Sequence, residues 1–136
     1  MSFGNSTETD LLAKIFTATA IPWDANTDLY LALHTADPGE AGSQTTSEAT
    51  YTSYARVAVA RTGVGWTISN PTATNAALVQ FPTATGGTNT ITHVSIGTSS
   101  SGAGQILVSG ALNSSLTVSS GIQPQFSAGA LVFTLD

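Results

Sequence analysis

The stretch Asp28-Leu29-Tyr30-Leu31-Ala32-Leu33-His34 decides the fold. Leu29, Leu31 and Leu33 alternate with Tyr30, Ala32 and His34, a period of two that gives a strand one strongly apolar face. Tyr54 to Arg61 repeats the pattern, with Ala55, Val57 and Val59 set against Arg56, Ala58 and Ala60. Further strands are expected over 64–69, 76–81, 90–97, 105–112, 115–119 and 130–135. Turn formers bound them: Pro71, Pro82, Gly86-Gly87, Ser99 to Gly104, Asn113-Ser114 and Gly121. About eight short strands follow one another with no helical segment between them to carry a parallel crossover. The expected class is all-β, an antiparallel β-sandwich or jelly roll.

Upstream of the deciding strand the period is 3.6. Leu11, Leu12, Ile15 and Phe16 fall on one face of a helix expected over residues 7–18, with that face packed on a sheet. Asn5, Ser6 and Thr7 are candidate N-caps, and Glu8 and Asp10 suit the positive helix end. Residues 1–6 read as an extended arm. Residues 35–53 carry small and polar residues without a period, and Asp37-Pro38-Gly39 is a turn signal within them. The organisation expected is one domain over 1–136: arm, helix, then a β-sandwich over 28–136 interrupted by the long 35–53 loop.

Composition narrows the function classes. The chain has 136 residues, 3 Lys+Arg against 8 Asp+Glu, and only 8% charged residues. Serine and threonine fill the polar positions, while 41% hydrophobic content sets the chain apart from a disordered one. A net charge of −5 leaves too few cations to neutralise a run of phosphates, so nucleic acid is not an expected partner. With Cys 0, zinc ribbons, disulfide scaffolds and thiol nucleophiles drop out. No apolar run reaches the ~18 residues of a membrane span, and the N-terminus lacks a cationic leader, so a soluble, unexported protein is expected.

Chemistry-bearing residues are sparse. His34 and His93 each lie in or beside a strand, and no G-x-S-x-G occurs, so a hydrolytic triad has little support. Asp24, Asp28, His34 and Asp37 are close in sequence but fit no metal motif, and side-chain caps on turns are the preferred reading of the aspartates. Gly97 to Gly104 has the glycines of a phosphate loop and lacks its lysine, position 103 being Ala; it reads as a hairpin turn. Arg56, a cation in a strong strand, calls for a carboxylate partner. Trp66 reads as core, whereas Trp23 suits either packing or contact with a sugar or protein. No cofactor or metal is expected, and the chain is not expected to be an enzyme.

Four segments together resemble small structural proteins of tailed bacteriophages, of the capsid decoration (cement) or tail-fibre type. They are Leu11-Leu12-Ala13-Lys14-Ile15-Phe16, the run from Leu29 to Pro38, Tyr54-Ala55-Arg56-Val57-Ala58-Val59, and Ile91-Thr92-His93-Val94-Ser95-Ile96-Gly97. The resemblance spans most of the chain and implies a virion component. It implies first a cement protein on the capsid exterior that bridges major capsid protein subunits. The alternative is a tail-associated receptor- or carbohydrate-binding module. Charge-free strands after residue 62 leave edges unprotected before Asp136, so a homotrimer or homodimer is expected. Partner contacts are expected on Ser2, Phe3 and Asn5 of the arm, on Trp23, and on Asp37, Glu40, Glu48 and Tyr51 of the long loop.

Overall fold

The computed structural model describes residues 1–135. Its elements run β1 (Ser2–Phe3), α1 (Asn5–Thr17), β2 (Asp28–His34), β3 (Val57–Ala60), β4 (Trp66–Ser69), β5 (Thr72–Asn75), β6 (Val79–Gln80), β7 (Asn89–Gly97), β8 (Ile106–Val118), β9 (Gln125–Phe126) and β10 (Val132–Thr134). Every pairing is antiparallel. A main sheet is ordered β1-β8-β7-β2-β3, and two small sheets are ordered β10-β5-β4 and β6-β9. The all-β class with an N-terminal helix holds, with ten strands where about eight were expected.

β2 sits inside the main sheet, as its leucines require. Leu31 lies opposite Ile96 and Leu33 opposite Val94, so these four side chains share one face. With Ile91 and Val118 they meet Phe81, Val79, Leu131 and Tyr51 in a single core, against which Trp66, Phe126 and Phe133 pack. Phe81 is fully enclosed, stacked 6.3 Å from Tyr54 and edge-on to Phe126 at the same separation. The other face of β2 is buried too: Ala32 and His34 are fully covered. Part of the 35–53 loop does this, since Thr46 reaches the His34 ring and Gln44 the Tyr30 carbonyl.

Three expectations change. The strands expected over 105–112 and 115–119 are one, Ile106–Val118: the Asn113-Ser114 region is a bulge where residues 112–115 of β8 stand against Thr92 alone on β7. The residues proposed as N-caps lie inside α1. Gly4 is the N-cap and offers no side chain, and the Asn5 N–H is met instead by the Glu40 carbonyl at 2.9 Å. Most consequential, the apolar face of α1 does not pack on a sheet. Leu12, Ile15 and Phe16 are exposed, Phe16 by 78%, and the buried residue of the helix is Thr7.

Candidate interaction surfaces

The helix is held by polar contacts. Thr7 Oγ1 donates to the Ile106 carbonyl (2.9 Å), and Gln105 Nε2 donates to Thr7 Oγ1 and to Asp10 Oδ2, both at 3.0 Å. Trp23 Nε1 donates to the same Asp10 oxygen at 3.0 Å, and the Arg61 guanidinium stacks 5.2 Å above the Trp23 ring. Arg61 in turn donates to the Asp24 carbonyl (2.7 Å) and to its carboxylate (3.2 Å). Thr7 and Asp10 therefore face the body, while Leu12, Ile15 and Phe16, at i, i+3 and i+4, face away from it.

A second polar assembly locks the long loop to the β7–β8 hairpin. Glu48 accepts from Arg56 Nε at 2.7 Å and from Nη2 at 2.9 Å, a two-pronged ion pair. Two more guanidinium hydrogens go to the carbonyls of Ser99 (2.9 Å) and Gly102 (2.7 Å). Tyr54 donates its hydroxyl to Glu48 at 2.9 Å and accepts the Leu33 N–H at 3.1 Å. Burial pushes the Tyr54 phenol well above its ordinary range, so it stays a donor at any physiological pH. Arg56 thus has the carboxylate partner its sequence position demanded. Gln44, fully buried, donates to the Tyr30 carbonyl and accepts the Ser99 N–H at 3.0 Å. Its side chain passes where a Cβ at Gly97 or Gly104 would stand, 2.1 Å away in each case, which explains two glycines of the apparent phosphate loop.

His34 lies beneath this assembly. Its Nδ1 is 2.8 Å from the Thr46 carbonyl, which can only accept, so Nδ1 carries the proton and Nε2 accepts from Ser95 Oγ at 2.8 Å. Burial lowers the His34 pKa, against partial support from the Thr46 carbonyl and Glu48. A serine and a histidine in contact resemble half a hydrolytic site, but both are buried and no substrate reaches them. Among the described residues no three His, Cys, Asp or Glu side chains gather as a metal site would need.

The expected contact residues are dispersed. Ser2, Asn5 and Glu40 do meet: Ser2 Oγ donates to the Glu40 carboxylate beside the Asn5–Glu40 backbone bond. Phe3 is half-buried in β1, opposite Val108, so the arm is pinned to the sheet rather than free. Asp37 is exposed and caps its own turn, accepting the Gly39 N–H at 2.8 Å. Trp23 is half-buried under Arg61. Glu48 faces inward to Arg56. Tyr51 is a core residue, 2% exposed, with its hydroxyl on the Pro82 carbonyl, and burial removes it from any partner surface. Sequence reasoning found the stripe on α1 but assigned it to the core.

A shallow open groove of about 470 Å³ lies between residues 25–28 and 98–101 and is also lined by Tyr30. Hydroxyls dominate it, and half-buried Tyr30 is the aromatic residue of its lining.

Residues 2–134 match the family model described as podophage GP4 fiber I protein gp80. The chain belongs to this family. It is a structural component of a bacteriophage virion. No curated protein matches the chain. Membership of the podophage fibre family fits a molecule whose polar assemblies serve packing: Arg56, Glu48, Gln44 and His34 all have their hydrogen-bonding groups turned to their own chain.

Proposed function

We propose that this chain is a non-enzymatic subunit of a fibre-type projection on the virion exterior, acting through protein–protein packing. One observation carries the reading: α1 is anchored by polar tethers on one side and turns Leu12, Ile15 and Phe16 outward. A helix held this way presents an apolar stripe without burying it, which is how an assembly subunit meets its neighbours. The description of the family as a fibre protein is in keeping with a projection.

The decoration reading, in which the protein binds major capsid protein and bridges its subunits, is favoured by the scarcity of surface charge. Few ionic groups would have to be desolvated when such a surface is covered. Cryo-electron microscopy of the intact virion tests both. Density for this chain within a projection from the particle supports the fibre reading. Density repeating with capsid symmetry on the outer head supports decoration. Density on the interior refutes both.

A further inference from the structure

The groove between residues 25–28 and 98–101 differs from the rest of the molecule in what its polar groups do. Asp28 and Tyr30 stand two residues apart on β2 and so share one sheet face, about 7 Å from each other along the strand. On that face the 35–53 loop covers Ala32 and His34 and reaches as far as Gln44, which donates to the Tyr30 carbonyl. The cross-strand neighbours are small: Ala60 opposite Asp28, and Ala58 and Gly97 on either side of Tyr30. An aromatic ring and a carboxylate are left side by side, both half-buried. The walls around them are fixed. Asn26 Nδ2 donates across the groove to the Thr98 carbonyl at 2.9 Å. Gln44 accepts the Ser99 N–H at 3.0 Å, and Arg56 donates to the Ser99 carbonyl at 2.9 Å. Within this frame several groups are unspent. Asp28 uses Oδ2 to accept from Thr27. Among the described residues its Oδ1, the Tyr30 hydroxyl and the hydroxyls of exposed Ser100 and Ser101 have no partner in the chain.

We propose that this groove is a binding site for a neutral saccharide. A pyranose ring offers an apolar C–H face to an aromatic side chain and a row of hydroxyls at its edge. Tyr30 supplies the ring. Asp28 Oδ1 accepts from a sugar hydroxyl, and an ionised acceptor holds a hydroxyl more strongly than a neutral one does. Ser100 and Ser101 both donate and accept, which suits a ligand whose every hydroxyl does the same. Among the described residues no lysine or arginine lines the groove, so the carboxylate repels phosphates, sulfates and sugar acids. An apolar ligand would strip water from these polar groups and give them no partner. Trp23, beneath Arg61, is outside the site. A shallow groove binds weakly, at about millimolar Kd, and repeated copies of the subunit would multiply that affinity. The inference goes beyond the packing role proposed above and does not depend on it.

Two-dimensional NMR of the full, isotope-labelled chain tests it by titration with a panel of neutral oligosaccharides of gluco, galacto, manno and N-acetylhexosamine types, with sialyllactose as the acidic counterpart. At least one neutral sugar is expected to shift the amides of residues 26–30 and 98–101, and sialyllactose is expected to leave them in place. Asp28→Asn keeps the shape of the side chain and removes its charge, and should weaken binding about tenfold or more. Tyr30→Leu keeps apolar bulk without the ring and should weaken it as well. Glu8→Gln removes a charge from the exposed first turn of α1 and should bind like wild type. Circular dichroism and melting temperature check that each variant is folded; if Tyr30→Leu is not, the near-isosteric Asp28→Asn decides. The proposal is overturned if every neutral sugar fails to bind at tens of millimolar, or if the shifts centre outside the groove. Tighter binding of sialyllactose, or an Asp28→Asn variant that binds like wild type, overturns it too.

Discussion

Replacing Arg56 by Met keeps the length of the side chain and removes all its donors. The side chain of Arg56 is 2% exposed and that of Glu48 17%, so the ion pair is largely shielded from water. Without the guanidinium, Glu48 keeps the Tyr54 hydroxyl, and the Ser99 and Gly102 carbonyls lose their donors. Removing one partner of a buried pair costs about 3–5 kcal/mol, chiefly through the stranded charge. Set against the ~5–15 kcal/mol that holds a domain folded, this is a large share. Urea unfolding followed by tryptophan fluorescence should therefore show a midpoint lower by roughly 1.5–3 M at unchanged slope. Adding Glu48→Leu removes the stranded carboxylate, and the double variant should be more stable than the sum of the two single losses predicts. A midpoint shift under about 0.5 M for Arg56→Met, or strict additivity in the cycle, would refute the argument.

Acidification should weaken the fold through His34. Its folded pKa is lowered by burial, so below the unfolded value of about 6.5 the unfolded chain binds more protons and stability falls as pH drops. The faced groups are Glu48, Arg56 and His93; urea midpoints from pH 8 to 5.5 should decline, and decline less in His34→Gln. Phe81→Ala empties a fully enclosed site between Tyr54 and Phe126 and should cost about 3–5 kcal/mol by the same assay. Gly97→Ala would set a methyl 2.1 Å from the Gln44 side chain and 2.6 Å from the Gln105 carbonyl. A loss of about 1–3 kcal/mol is expected, and a neutral effect would mean the loop and hairpin are not packed as described.

What could be seen in the sequence depended on how local its cause was. β2 was legible because three leucines at a period of two mark one strand face as core. β5 was not: Thr72-Ala73-Thr74-Asn75 shows no apolar alternation, and its strand exists because β4 and β10 flank it. β9, Gln125 and Phe126, is too short to show any period. Asn113-Ser114 permits a turn and a bulge alike, and only pairing with β7 decides between them. Arg56 announced the need for a carboxylate, yet Glu48 as the partner depends on how the loop folds back. Tyr51 sits in an aperiodic loop and still enters the core, which no local pattern records. The α1 stripe shows the limit most clearly. Amphipathicity establishes that one helix face is apolar, but it does not name the body that will cover it.

The arginines have an outward consequence. Arg56 is enclosed by its ion pair, and Arg61 lies over Trp23 against the Asp24 carboxylate, which leaves Lys14 as the remaining Lys or Arg side chain. Polyanions are captured by surfaces that exchange several cations for released counterions. A phage leaves its host in a lysate thick with nucleic acid and anionic envelope fragments. In the exterior position proposed above, subunits of this kind would present a hydroxyl-rich, cation-poor skin to that debris, with little on it for the debris to hold.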